Sequence, residues 1–188
     1  MSPFIYSMCQ KPIVGLAMAT VALCEFPQLI KDAPLKLSEA GTVVTADVEV
    51  PVDLSYTLQL EVSNPAGDSL SKQEISILGD RRMEDCIEGT DLSKVSKQER
   101  ASYGRPMAFK VEVRRKADNT VIHSRLVNTM CVASKWANQR SRSLGNIPLA
   151  RGMYSIRVEN VDAQTGLDHL SSNLALAPSI DRPLTAQR

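Results

Sequence analysis

Aromatic side chains are scarce in this sequence, at 4% with a single Trp, so a hydrophobic core has to be built from Val, Leu and Ile. Only two His are present. His123 and His169 stand alone on strand-like segments, and no Cys-x-x-Cys spacing occurs, which argues against zinc. The sequence has no G-x-S-x-G elbow, no H-E-x-x-H, no phosphate-cradling glycine loop and no D-x-D calcium loop. The expectation is therefore a protein that is not an enzyme and uses no cofactor or metal. Charge of one sign is also missing. Formal net charge is +1, and setting aside Lys11 of the N-terminal region leaves 22 − 1 = 21 basic residues against 21 acidic. That balance, with no basic patch interleaved by aromatics, gives no footprint for nucleic acid.

What the sequence does have is alternation. In "GTVVTADVEV" (41–50), Val44, Ala46, Val48 and Val50 share one parity. In "LSYTLQLEV" (54–62), Leu54, Tyr56, Leu58, Leu60 and Val62 alternate with polar residues. "AFKVEVRR" (108–115), "NTVIHSRLVN" (119–128), "SLGNIPLA" (143–150), "LARGMYSIRVEN" (149–160) and "HLSSNLALA" (169–177) continue the series. Period 2 marks half-buried strands, and about seven of them without a long helical period predict an all-β protein. The expected architecture is a single antiparallel β-sandwich of immunoglobulin or fibronectin type. Gly152 precedes a strand where a turn needs freedom in φ. Tyr154 is read either as a corner tyrosine bonding back to the backbone or as a plain core residue. "NPAGD" (64–68) and "KADNT" (116–120) are turns, with Asp118 and Asn119 suited to positive φ.

Residues 64–104 break the rhythm and predict a partly helical crossover. Ser71 precedes Glu74 by three residues and Ser96 precedes Glu99 likewise, two capping-box spacings. Gly79 and Gly104 are the expected stops. Arg81, Arg82, Glu84 and Asp85 form a mixed-charge cluster suited to an interface. Glu84, Asp85, Glu88 and Asp91 also suit paired-carboxylate chemistry, although such clusters are far more often a solvated face. In "SKWANQRSRS" (134–143), Trp136 with Arg140 and Arg142 is the combination enriched in binding hot spots. The alternative is a core Trp beside solvated arginines.

The N-terminus differs. "IVGLAMATVAL" (13–23) behind Lys11 is too short to span a bilayer and has the length of a signal-peptide core. The expected organisation is a signal peptide at 1–24, a linker at 25–35, a sandwich domain at 36–180 and a tail at 181–188. Two readings of the cleavage stay open. "VALC" resembles a lipobox ending at a lipidated Cys24, although Leu23 is larger than that pattern wants, and "AMA" (17–19) offers an ordinary cleavage site. Translation from Met8 would leave a more ordinary leader. Export to the periplasm permits a bridge between Cys86 and Cys131, worth about 4 kcal/mol in the chain-entropy picture; two buried thiols are the alternative.

A resemblance adds to this reading. The "AGTVV" entry at 40–44, "Y-x-L-x-L" at 56–60 and "L-x-x-G-x-Y-x-I-x-V-E-N" at 149–160 resemble a group of small exported bacterial proteins, often lipoproteins, with a β-sandwich. Some members are similar to immunity proteins against type VI secretion phospholipase effectors. The resemblance covers about 36–177. It implies a periplasmic inhibitor that binds a secreted lipase effector, with no catalytic residues and with possible attachment to the outer membrane through Cys24. A cell-envelope accessory domain is the second reading.

Overall fold

Strands of strict alternation need a partner layer for their apolar face, and the chain supplies two sheets that cover each other. The computed structural model describes residues 27–81 and 95–179, apart from the side chains of Gln98 and Ala101. The strands are β1 (Ile30–Pro34), β2 (Val43–Val50), β3 (Leu54–Ser63), β4 (Met107–Arg115), β5 (Val121–Thr129), β6 (Ser134–Trp136), β7 (Gln139–Leu149), β8 (Gly152–Asn160) and β9 (Ser171–Pro178). Among the described residues, two short helices, α1 (Lys72–Leu78) and α2 (Lys97–Tyr103), lie between β3 and β4. All ladders are antiparallel. One sheet has the order β1-β9-β3-β7-β6 and the other β2-β8-β4-β5. The sandwich expectation holds, and its strand order is of the jelly-roll kind, with β6 appended, rather than the immunoglobulin kind.

The strands carry the expected inward parities. Tyr56, Leu58, Leu60 and Val62 of β3 face Phe109, Val111 and Val113 of β4 and Ile156 and Val158 of β8 within one core. Among the described residues, two strands beyond the seven anticipated are present. β1 lies inside the segment expected to be a linker, and it pairs with β9 through Ile30, Ala33 and Pro34. β6 is a three-residue strand too short to show a period.

The sandwich has two ends, closed differently. At one end the chain turns from β2 to β3 and from β7 to β8. There the Tyr154 hydroxyl donates to the Ala150 carbonyl at 2.9 Å. The Tyr56 hydroxyl donates to the Val52 carbonyl at 3.4 Å. The corner reading of Tyr154 is the one realised, and β3 repeats it. The Asp53 carboxylate accepts from the Arg151 amide at 2.6 Å and ties the two corners together. Gly152 opens β8 with φ of +155°. The expected turns also form: Asn119 adopts φ of +56°, and the Asn64 side chain accepts from the Ala66 amide.

The other end is closed by the crossover. Ser71 caps α1 with both halves of the capping box, since its hydroxyl accepts from the Glu74 amide and its amide donates to the Glu74 carboxylate. Ser96 caps α2 through the Glu99 amide at 3.2 Å. Gly79 and Gly104 end the helices with φ of +90° and +75°. They also meet each other. A Cβ on Gly104 would lie 2.6 Å from the Gly79 nitrogen, and one on Gly79 would lie 2.8 Å from the Tyr103 carbonyl oxygen. Only glycine at both positions lets the two helix ends come this close.

Candidate functional site

β7 explains how the crossover end is built. A bulge in the β3–β7 ladder sets Leu58 opposite Gly145 and Gln59 opposite Ser143, leaving Leu144 as the extra residue. Beyond it, Ile147 and Leu149 point inward at odd numbers. Before it, Arg142 and Arg140 occupy the inward register opposite Leu60 and Val62. Two arginines therefore point into the closed side of the sandwich, beneath the crossover.

This corrects the sequence expectation for both. Arg142 is 1% exposed and contacts its own chain. Its five N–H groups are all used on backbone carbonyls. Nε donates to Leu78 at 2.9 Å, Nη1 to Arg105 at 2.7 Å and Thr129 at 3.1 Å, and Nη2 to Ile77 at 2.9 Å and Leu78 at 2.6 Å. Ile77 and Leu78 are the last residues of α1, whose terminal carbonyls have no partner within the helix. A guanidinium there satisfies them and sits at the favourable end of the helix dipole. Burial pushes the Arg142 pKa down to about 9, which leaves it charged at neutral pH. Arg140 is also buried. It donates to the carbonyls of Trp136 and Gln139 and pairs with Asp80 at 3.1 Å. Its Nε has no hydrogen-bond partner.

Asp80, which the sequence did not single out, is the hinge pin of this end. One carboxylate oxygen accepts from Arg140 and the other from Lys135 at 3.2 Å. Its amide donates to Ser102 at the end of α2. Arg81 follows it. The Arg81 guanidinium lies 4.8 Å from the Tyr103 ring centre and 3.9 Å from the Glu99 carboxylate, and its carbonyl accepts from the Val132 amide. The β6–β7 turn is held from the other side, where the Asn64 amide donates to Asn138 and the Leu70 amide to Ala137.

Trp136 stands on this framework with 66% of its surface exposed. It shares a register row with Gln139 and Ser63, on the outer face of the five-stranded sheet. Farther along that face, burial raises the Glu61 pKa, and the charge of Asp32 adds to the shift. Of the sequence-predicted contact residues, the structure brings Arg81, Trp136 and Arg140 to one end, with Trp136 alone strongly exposed. Arg82, Glu84, Asp85 and Cys86 lie outside the described residues, as do Glu88, Asp91 and Cys24. Cys131 is buried and its sulfur is not a free thiol. Among the described residues, no group of three His, Cys, Asp or Glu is placed to hold a metal ion, and no helix is long and apolar enough to cross a membrane.

A domain of unknown function, DUF5625, matches residues 32–178. The fold is similar to that of a crystallised protein from Sulfurospirillum deleyianum, with TM-score 0.59 and 20% identity over 80% of this chain and 97% of that one. At that identity the likeness concerns the fold alone. A family 35 carbohydrate binding module from Clostridium thermocellum matches at TM-score 0.35 and 12% identity, over 79% of this chain and 89% of that one, which is too low to bear on function. No curated protein matches the chain.

Proposed function

We propose that this chain, which belongs to the DUF5625 family of domains of unknown function, is an exported binding protein that occludes a toxic secreted effector, a type VI secretion phospholipase, in the periplasm. The observation that carries the binding role is Trp136. An aromatic with 66% of its surface in solvent sits on a hairpin whose backbone carbonyls accept from Arg140, and the Arg140 and Lys135 side chains are both paired to Asp80. A large rigid side chain loses little conformational freedom on association, and such residues dominate interfaces. The identity of the partner rests on the sequence resemblance. Occlusion requires no chemistry from the inhibitor, which agrees with the missing enzyme motifs. A specific complex would bury roughly 1,600 Å² in total.

Export rests on residues 13–23, and a lipid anchor on Cys24 is its membrane-attached form. A Cys86–Cys131 bridge belongs to the same proposal. Thiol labelling of the denatured, unreduced mature protein should find neither cysteine reactive, and labelling of both would remove the bridge from the account.

The functional test takes any phospholipase encoded beside this protein's gene and places it in the periplasm of a host cell. Co-expression of the wild-type chain should restore growth, and Trp136→Ala should not, although the variant accumulates to the same level. If the neighbouring effector is not bound at all, the reading as a cell-envelope accessory domain takes its place.

A further inference from the structure

The four-stranded sheet covers the core with one face and leaves the other in water. The register of its ladders fixes the rows on that outer face. One row reads Val43, Glu159, Lys110, Leu126 across β2, β8, β4 and β5. The next reads Thr45, Arg157, Glu112, Ser124. Val43 and Leu126 are 39% and 58% exposed. Lys110, Glu112, Arg157 and Glu159 line a shallow open depression at the centre. Within the sheet, Arg157 bonds Glu159 at 3.2 Å and Arg114 bonds Glu112 at 2.7 Å, both along a strand, while Lys110 extends into solvent.

Each row is the complement of its own reversal. The first is apolar, negative, positive, apolar; the second is polar, positive, negative, polar. A two-fold axis lying along the strands between β8 and β4 carries β8 onto β4 and β2 onto β5 while keeping each row in place. Two copies placed face to face about that axis set Glu159 against Lys110, Arg157 against Glu112 and Val43 against Leu126, each contact made twice. In the next row Ser155 meets Arg114 and Asp47 meets Val121, so no like charges face each other there either. Such self-complementarity is what an isologous interface requires. Strand directions kept aligned by the axis also suit the usual face-to-face packing of twisted sheets.

We infer that the outer face of the β2-β8-β4-β5 sheet is a docking surface for a second copy of this chain, joined through reciprocal Lys110–Glu159 and Arg157–Glu112 pairs. The surface lies apart from Trp136, and the inference stands independently of the proposed partner. Because Lys110 and Arg157 are exposed and Glu112 and Glu159 only half-buried, the pairs are open to salt, and association depends on ionic strength.

Sedimentation equilibrium of the full chain tests it. At about 25 mM salt the chain should form dimers, and at about 500 mM the dissociation constant should rise by roughly tenfold or more. Lys110→Glu and Glu159→Lys should each be monomeric, since each sets like charges together twice. Mixed in equal amounts, the two variants should form a heterodimer, because a carboxylate of the first variant then faces an ammonium of the second in both copies of the contact. Circular dichroism identical to wild type establishes that both variants are folded. A wild-type chain that stays monomeric at low salt, or folded variants that do not associate on mixing, would overturn the inference.

Discussion

The two ends of the sandwich solve the same problem with opposite means. Where β2 turns into β3 and β7 into β8, the corners are tied by tyrosine hydroxyls that reach back four residues along their own chain. At the crossover end, a buried guanidinium from β7 binds carbonyls 13 to 65 positions away in sequence. The first device is local and modular, and losing one bond leaves the rest. The second is a single hub for α1, the start of β4 and the end of β5, and its loss leaves several buried carbonyls without donors. The difference separates an end that merely closes from an end that carries an ordered display of Trp136.

The contrast between the ends is widest at Arg142. Arg142→Ala should lower stability by about 4 kcal/mol, because five hydrogen bonds are lost and their buried acceptors remain. Arg142→Lys, with three donors in place of five, should recover about half of that. Both follow from the midpoint of urea unfolding.

Glu74 gives the next largest effect, on the same end. Its pKa is lowered first by the Ser71 backbone amide and then by the hydrogen bond from His169. A carboxylate with a depressed folded pKa contributes stability that is complete above the ordinary glutamate range and disappears as pH falls through the folded value. Glu74→Ala should therefore cost about 1.5 kcal/mol at neutral pH, and its difference from wild type should shrink as the medium becomes more acidic than pH ~4. A gap that stayed constant across that range would assign the loss to packing.

The local end should respond least. Tyr154→Phe removes one hydrogen bond at 2.9 Å and should cost about 1 kcal/mol. Tyr56→Phe, whose bond is 3.4 Å long, should cost less. If either approached the Arg142→Ala value, the contrast between the ends would fail.

What is legible in the sequence follows the same divide between local and distant partners. The inward parities of β2, β3, β4 and β8 are readable because period 2 is written residue by residue. So are the capping box at Ser71, the N-cap at Ser96 and the corner at Tyr154, whose partners lie within four positions. β1 is hidden, since "IKDAP" has no alternation and gains its place only from pairing with β9. Arg140 and Arg142 read as surface residues because the expected strand begins only at 143; β7 starts at Gln139, and the bulge at Leu144–Gly145 then shifts its parity, with nothing local to mark which half of a long strand keeps phase. Asp80 escapes notice because its role depends on Lys135 and Arg140, more than fifty positions away. The lone Gly145 inside a strand pattern is the one available signal for the bulge.

Everything proposed for the crossover end depends on its being a rigid platform from which Trp136 binds a protein partner. The decisive quantity is the affinity of a purified type VI secretion phospholipase effector, the proposed partner, for wild type and for Trp136→Ala, with stability measured on the same samples. Affinity should fall by roughly 30-fold or more for Trp136→Ala, with unfolding free energy within about 0.5 kcal/mol of wild type. Tight binding that survives the loss of Trp136 would show that the platform serves some other purpose.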